Sequence, residues 1–199
     1  MTQSLDYLKE TASQTAGPYV HIGLAPGDAG FDIYRQELGH DITGPNAKGQ
    51  QITVTGIVTD GTGAPVKDVL IEIWQANAAG TYAGHGEVED GFRGWGRVIP
   101  DFETGEFSFE TIKPGAVTGR DGRPMAPHLN LWLVARGINV GLNTRMYFAD
   151  ESAANAADSV LNLIEQAHRR ATLIAQGDGT NYRFDISLQG EHETVFLDV

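Results

Sequence analysis

Between Gln51 and Thr59 the chain alternates Ile52, Val54, Gly56 and Val58 with Thr53, Thr55, Ile57 and Thr59, a period of two rich in β-branched residues. Successive side chains on a strand point to opposite sides, so such alternation commits the segment to a strand with one buried face. Gly61-Thr62-Gly63 then reverses the chain into a second apolar run, Val69 to Gln75. Further strands are expected at Glu106 to Ile112, Leu129 to Val134 and Tyr182 to Leu188. Several short strands separated by turn signals predict a mainly β fold, an antiparallel β-sandwich with long loops.

Two stretches depart from this pattern. Residues 1–50 are punctuated by Gly17-Pro18, Pro26-Gly27 and Gly44-Pro45 and read as an extended, irregular N-terminal arm that packs on a partner chain. A small helical insert is expected near residues 150–175, opening on Asp150-Glu151-Ser152 and carrying Leu161, Ile164 and Glu165, with a second turn from His168 to Ala175. With 199 residues, 41% hydrophobic and 20% charged, residues 1–199 are expected to form a single domain with a sizeable core.

Charge narrows the range of partners. A formal net charge of -12 argues against nucleic acid and anionic membrane, which both require a positive footprint. No apolar stretch is long enough to span a bilayer, and Met1-Thr2-Gln3-Ser4-Leu5-Asp6 lacks the basic and apolar regions of a signal peptide. The chain has no cysteine, which rules out disulfides and thiolate sites and agrees with a cytoplasmic setting.

The segment Val54-Thr55-Gly56-Ile57-Val58, the turn through Gly61, Gly63 and Pro65, and the run Val69-Leu70-Ile71-Glu72-Ile73-Trp74-Gln75-Ala76-Asn77-Ala78-Ala79-Gly80-Thr81-Tyr82 follow one another in order. Together they resemble the signature of the intradiol ring-cleavage dioxygenases. In that family the tyrosine at the place of Tyr82 is the first of four ligands to a non-haem ferric ion. A second tyrosine follows soon after Lys-Pro-Gly, and a His-x-His pair comes next on a strand. Here Lys113-Pro114-Gly115 is followed by Val117, and the strand carries His128-Leu129-Asn130. The resemblance therefore implies relic ligand positions at Tyr82 and His128, with the others lost at Val117 and Asn130. His128 and Asn130 share a strand face, as two gripping imidazoles would. An amide oxygen is a weak substitute for an imidazole, however, and valine has no lone pair. No metal ligation by this chain is expected.

Further segments narrow the resemblance. Ser13-Gln14-Thr15-Ala16-Gly17-Pro18-Tyr19-Val20-His21-Ile22-Gly23, Ala135-Arg136-Gly137-Ile138-Asn139, Tyr182-Arg183-Phe184-Asp185-Ile186 and Glu193-Thr194-Val195-Phe196 look like the α chains of the family's two-chain members. In these a homologous β chain carries all four ligands and the Fe3+, and the active site lies near the α/β contact. The implied reaction cleaves the ring of 3,4-dihydroxybenzoate (protocatechuate) with O2 to 3-carboxy-cis,cis-muconate, with the partner's iron acting as Lewis acid and template.

The α chain would then shape the pocket and hold the substrate end remote from the metal, and no catalytic residue is assigned to it. Arg136 suits that task, because a guanidinium fork matches a carboxylate and forms strong bonds where water is excluded. Without the resemblance it is an ordinary surface arginine beside Gly137. The same resemblance brings Thr15, Pro18 and Tyr19 of the arm toward the partner's site. Gly17-Pro18 fixes a bend there, and plain interface packing is the competing account of Tyr19.

The remaining polar features are less specific. His21, His40, His85, His168 and His192 have no partner histidine at i+2 or i+4. Trp74, Trp95 and Trp132 read as core or interface anchors, and Gly94-Trp95-Gly96-Arg97 suggests no chemistry of its own. Two alternatives to the non-metal subunit stay open: a self-sufficient metal dioxygenase using Tyr82, His128 and another ligand, and a non-catalytic β-sandwich binding or structural module.

Overall fold

The computed structural model describes residues 15–17, 19–34, 36–120 and 122–198. After a short helix α1 (Val20–Leu24), the strands are β1 (Gln51–Thr59), β2 (Leu70–Trp74), β3 (Trp95–Val98), β4 (Glu106–Ile112), β5 (Val117–Thr118), β6 (Pro124–Met125), β7 (His128–Val134) and β8 (Leu142–Phe148). Helices α2 (Ser152–Ala157) and α3 (Ala167–Ala171) precede β9 (Ile174–Gly177), β10 (Asn181–Arg183) and β11 (Ile186–Ser187).

The fold is mainly β, but the expectation of an antiparallel sandwich is corrected. Hydrogen bonding runs along one path, β11-β1-β10-β9-β8-β7-β2-β3, with β4 also on β1 and with β5 and β6 as a separate ribbon. The sheet is mixed, because β1 pairs in parallel with β10 and β11, and β8 pairs in parallel with β9. Strand β9 turns the corner: Ile174 and Ala175 pair with β8, whereas Gln176 and Gly177 pair with β10. The result is a near-barrel of two facing leaves joined through one strand.

The turn after β1 behaves as the glycines predict only locally. Val66 N donates to Val58 O at 2.8 Å. Beyond it the chain crosses to the other leaf, where β2 pairs with β3 and β7 and not with β1. The antiparallel neighbour of β1 is β4, from Gln51↔Ile112 to Ile57↔Glu106.

One core fills the space between the leaves. Ile52, Val54, Val58, Phe107 and Phe109 face Ile71, Ile73, Leu129, Leu131, Leu133, Met146 and Phe148. Burial of each such side chain stabilises the fold by about 1.5–3 kcal/mol. Leu129, Leu131 and Leu133 point inward, so Asn130 and Trp132 of the same strand are turned to the outer surface of the leaf.

The helical insert is broken into short pieces: a 3-10 turn at Ala149–Glu151, α2, a second 3-10 turn at Leu161–Leu163, and α3. It ends before residue 175, since Ile174 and Ala175 already belong to β9. Its anchor is Lys113, which donates to Asp150 at 2.6 Å and pairs with Glu151 at 2.7 Å. The described part of the arm is partly docked on the chain's own body, through Ala25 against Leu70 and Ile99 and through Ile42 in the main core. Tyr19, Leu24, Phe31, Ile33, Tyr34 and Leu38 remain exposed along it. No helix among the described residues is long and apolar enough to cross a membrane.

Candidate functional site

The loop after β2 delivers Tyr82. Asn77 organises it, its side-chain oxygen accepting the N–H groups of Ala79 (3.1 Å) and Thr81 (2.9 Å) and its carbonyl accepting Gly115 N at 2.9 Å. This crossing brings the Lys113-Pro114-Gly115 segment against the loop so closely that a Cβ on Gly80, whose φ is +80°, would fall on the Ala116 carbonyl oxygen. The Tyr82 hydroxyl reaches the end of β7, 3.3 Å from His128 Nε2.

Register brings the remaining groups together. In the β7/β8 pair His128 stands opposite Tyr147, and Asn130 stands opposite Arg145. Asn130 Nδ2 donates to the Tyr82 oxygen at 2.8 Å, and Arg145 Nε donates to Asn130 Oδ1 at 3.0 Å. Arg145 also reaches the Tyr147 hydroxyl at 3.4 Å and the Met125 sulfur at 3.5 Å. The Tyr147 hydroxyl donates to Asp158 Oδ1 at 3.2 Å, and Asp158 Oδ2 accepts Ala126 N at 2.7 Å. His128 Nδ1 lies 2.7 Å from Ala126 O. A carbonyl can only accept, so Nδ1 carries the imidazole proton and Nε2 accepts from Tyr82.

Tyr82 and His128 are therefore both neutral and proton-bearing. Burial, followed by the charge of Arg145, lowers the His128 pKa from 6.5 to about 4. Burial raises that of the Tyr82 phenol, against the Asn130 bond and the Arg145 charge, which lower it. Tyr147 is also pushed up by burial and stays a donor.

These residues do not fit a ferric ion. Val117, on β5 opposite Met125, offers no donor atom. Asn130 turns its N–H group toward Tyr82 and engages its oxygen with Arg145. The Tyr82 oxygen and the His128 nitrogen share a proton where two ligands would share a metal. Among the described residues no three His, Cys, Asp or Glu side chains gather at a possible metal position.

Arg136 lies at the other end of β7. It lines an open cleft of about 790 Å³ with Asp68, Phe102, Leu142 and Gln189. Its side chain is 68% exposed and pairs with Asp68 at 3.5 Å. Thr15 joins it, since the Thr15 hydroxyl accepts Gly137 N at 2.8 Å. Tyr19 precedes α1 and is 75% exposed, whereas Pro18 lies outside the described residues. Thr15 and Arg136 are thus brought together. Tyr82 and His128 form a separate group, with β7 spanning roughly 20 Å between the two at about 3.3 Å per residue.

The tryptophans expected as core or interface anchors are not core. Trp74 and Trp132 are exposed on the outer face of the β2/β3/β7 leaf and, with Trp95, line a cleft of about 360 Å³ beside Asn130 and Arg145. Gly94-Trp95-Gly96-Arg97 has a packing role: Arg97 lies 4.8 Å over the Trp95 ring and bonds Glu72 at 2.7 Å.

Sequence reading misses Arg145, Tyr147 and Asp158. The signal is available in part, because alternation over Asn143, Arg145 and Tyr147 brings those side chains to one face once the segment is recognised as the neighbour of β7.

A profile of the family described as "Dioxygenase" matches residues 32–190. The chain is 52% identical over 198 residues to the protocatechuate 3,4-dioxygenase alpha chain of Pseudomonas putida, covering 98% of each chain. It is 35% identical over 176 residues to the protocatechuate 3,4-dioxygenase beta chain of Burkholderia cepacia, covering 79% of this chain and 74% of that one. The fold is shared with 3-chlorocatechol 1,2-dioxygenase from Rhodococcus opacus 1CP at a TM-score of 0.59 and 23% identity, over 79% of this chain and 67% of that chain.

Proposed function

Because the chain belongs to the intradiol ring-cleavage dioxygenase family, we propose that it is the α subunit of a protocatechuate 3,4-dioxygenase, a non-metal subunit working in the cytoplasm beside a homologous β chain. The family depends on non-haem iron. In this reading the Fe3+ is held by the β chain, and the pair cleaves 3,4-dihydroxybenzoate with O2 to 3-carboxy-cis,cis-muconate.

One observation carries the division of labour. Arg136 and the relic pair Tyr82/His128 sit at opposite ends of β7, roughly 20 Å apart by strand rise. A single benzoate ring cannot touch both, so an arginine that serves a substrate carboxylate here serves a reaction centre outside this chain. Arg136 then binds and orients the carboxylate, while Thr15, Pro18 and Tyr19 form the wall of the partner's pocket. Orienting the ring in this way supplies part of the rate by proximity. The exposed apolar side chains of the arm, from Tyr19 to Leu38, support its packing on the β chain. In the same reading residues 1–199 act as one domain.

The test is to purify the chain alone and together with its β chain, measuring iron per protomer, the visible tyrosinate-to-iron absorption and O2 uptake with protocatechuate. A colourless, iron-free, inactive lone chain beside a coloured, active pair is the expected result. Stoichiometric iron and O2 consumption in the lone chain would overturn the reading.

A further inference from the structure

We propose that Arg145 is the built-in cation of the Tyr82/His128 site: its guanidinium supplies permanently the positive charge that a metal ion would bring, and it thereby keeps metal out even where ligands are restored. The inference concerns this chain's own site and does not depend on the partner.

The first argument is orientation. Arginine has donors and no acceptor. Its Nε bond to Asn130 Oδ1 therefore fixes the amide with its oxygen toward β8 and its N–H toward Tyr82. The one atom of Asn130 able to coordinate a metal is turned away by Arg145. The second argument is closure. Arg145 continues through Tyr147, Asp158 and Ala126 to His128 Nδ1, so the guanidinium is tied by hydrogen bonds to both relic positions, through Asn130 on one side and Ala126 on the other.

The third argument is charge. The guanidinium brings a positive charge. It stands one hydrogen bond from Asn130, which itself bonds the Tyr82 hydroxyl, so its charge lies beside the place a metal would take. A cation entering beside it meets like charge. The neighbouring Met125 stands on β6 directly opposite Val117 on β5, so the ribbon that carries Val117 also helps to seat the arginine.

The test rebuilds the site in the full chain. Val117→Tyr with Asn130→His restores the family's ligand types, and the same pair is made with Arg145→Met and with Arg145→Lys. Iron is counted per chain after ferric loading, together with tyrosinate-to-iron absorption. A second preparation co-produces each variant with the β chain and counts iron above that of the unsubstituted pair. The rebuilt site is expected to stay iron-free wherever position 145 keeps its charge, with Arg145 itself or with Arg145→Lys, and to reach stoichiometric iron with Arg145→Met. Should the methionine variant fail to assemble, Arg145→Gln drops the charge, keeps a donor and carries the same expectation. Iron uptake with Arg145 present overturns the proposal. So does uptake in the Arg145→Lys background, which would make shape and not charge the barrier, and so does a neutral variant that assembles but stays empty.

Discussion

Thr15 Oγ1 accepts the backbone N–H of Gly137 at 2.8 Å, which pins the N-terminal arm to the turn that carries Arg136. The arm and the arginine therefore move together, although more than a hundred residues separate them in sequence. Thr15→Val removes this bond and keeps the shape of the side chain. One neutral hydrogen bond contributes about 1 kcal/mol, so KM for protocatechuate should rise about 5-fold with kcat little changed. Steady-state kinetics of the assembled enzyme measures it, and an unchanged KM would separate the arm from the substrate site.

Arg136→Ala should be far more damaging to binding. A charge-assisted contact to a carboxylate is worth about 1.5–3 kcal/mol, which corresponds to a rise in KM on the order of 10- to 100-fold. Iron content and α/β assembly should be unaffected, since the side chain is exposed and its ion pair to Asp68 is long, at 3.5 Å. Arg136→Lys should recover part of the loss, as it keeps the charge without the planar fork. Wild-type kinetics in the alanine variant would remove Arg136 from the substrate site.

His128 makes stability depend on pH. Its pKa is depressed in the fold from 6.5 to about 4, so between those values the unfolded chain binds the proton and the folded chain does not. Stability is then complete above about pH 6.5, declines as pH falls through this window, and loses nothing more from His128 below about pH 4. His128→Asn can still donate to Ala126 O and does not titrate. Denaturation midpoints followed across that window should fall less steeply in the variant. Parallel profiles would mean that His128 is already protonated in the folded chain.

Lys113 ties the end of β4 to the turn at Ala149–Glu151. Burial lowers its pKa, but the bonds to Asp150 and Glu151 outweigh this and raise it, so it stays charged. Lys113→Met keeps the stem over Phe148 and drops both ion pairs. Both carboxylates are about a third exposed, which discounts the loss to about 1–2 kcal/mol. That corresponds to a decrease in Tm of roughly 2–8 °C for a chain of this size, read by thermal unfolding.

The strands legible in the sequence are those whose alternation faces a single core. The pattern gives β4 its observed bounds, Glu106–Ile112, and β1, β2 and β7 to within a residue or two at each end. β8 escapes it because its outer positions, Asn143 and Arg145, are polar and line the site, which breaks the apolar count in Leu142-Asn143-Thr144-Arg145. β9 is absorbed into the helical reading because Ile174 and Ala175 fit a helix equally well. Parallel pairing leaves no local mark, so the mixed character of the sheet lies beyond any pattern of two. At the site, the lack of a donor atom at Val117 and the weak donor at Asn130 can be read from residue type. The role of Arg145 cannot, since it follows from its register opposite Asn130.

The parallel pairing of β1 with β10 and β11 also sets an order of events at the ribosome. Ile57 N is satisfied by Asp185, 128 residues later in the chain. At translation speeds of about 5–20 residues per second, β1 waits several seconds or longer with that edge open before its neighbours emerge. The sheet therefore closes only after β10 and β11 have emerged, and a chain that stops short of Asn181 leaves β1 paired with β4 along one edge and open along the other. For a protein made beside a homologue of the same fold, that delay is when pairing with the wrong chain is easiest, and the arrival of β10 and β11 ends it.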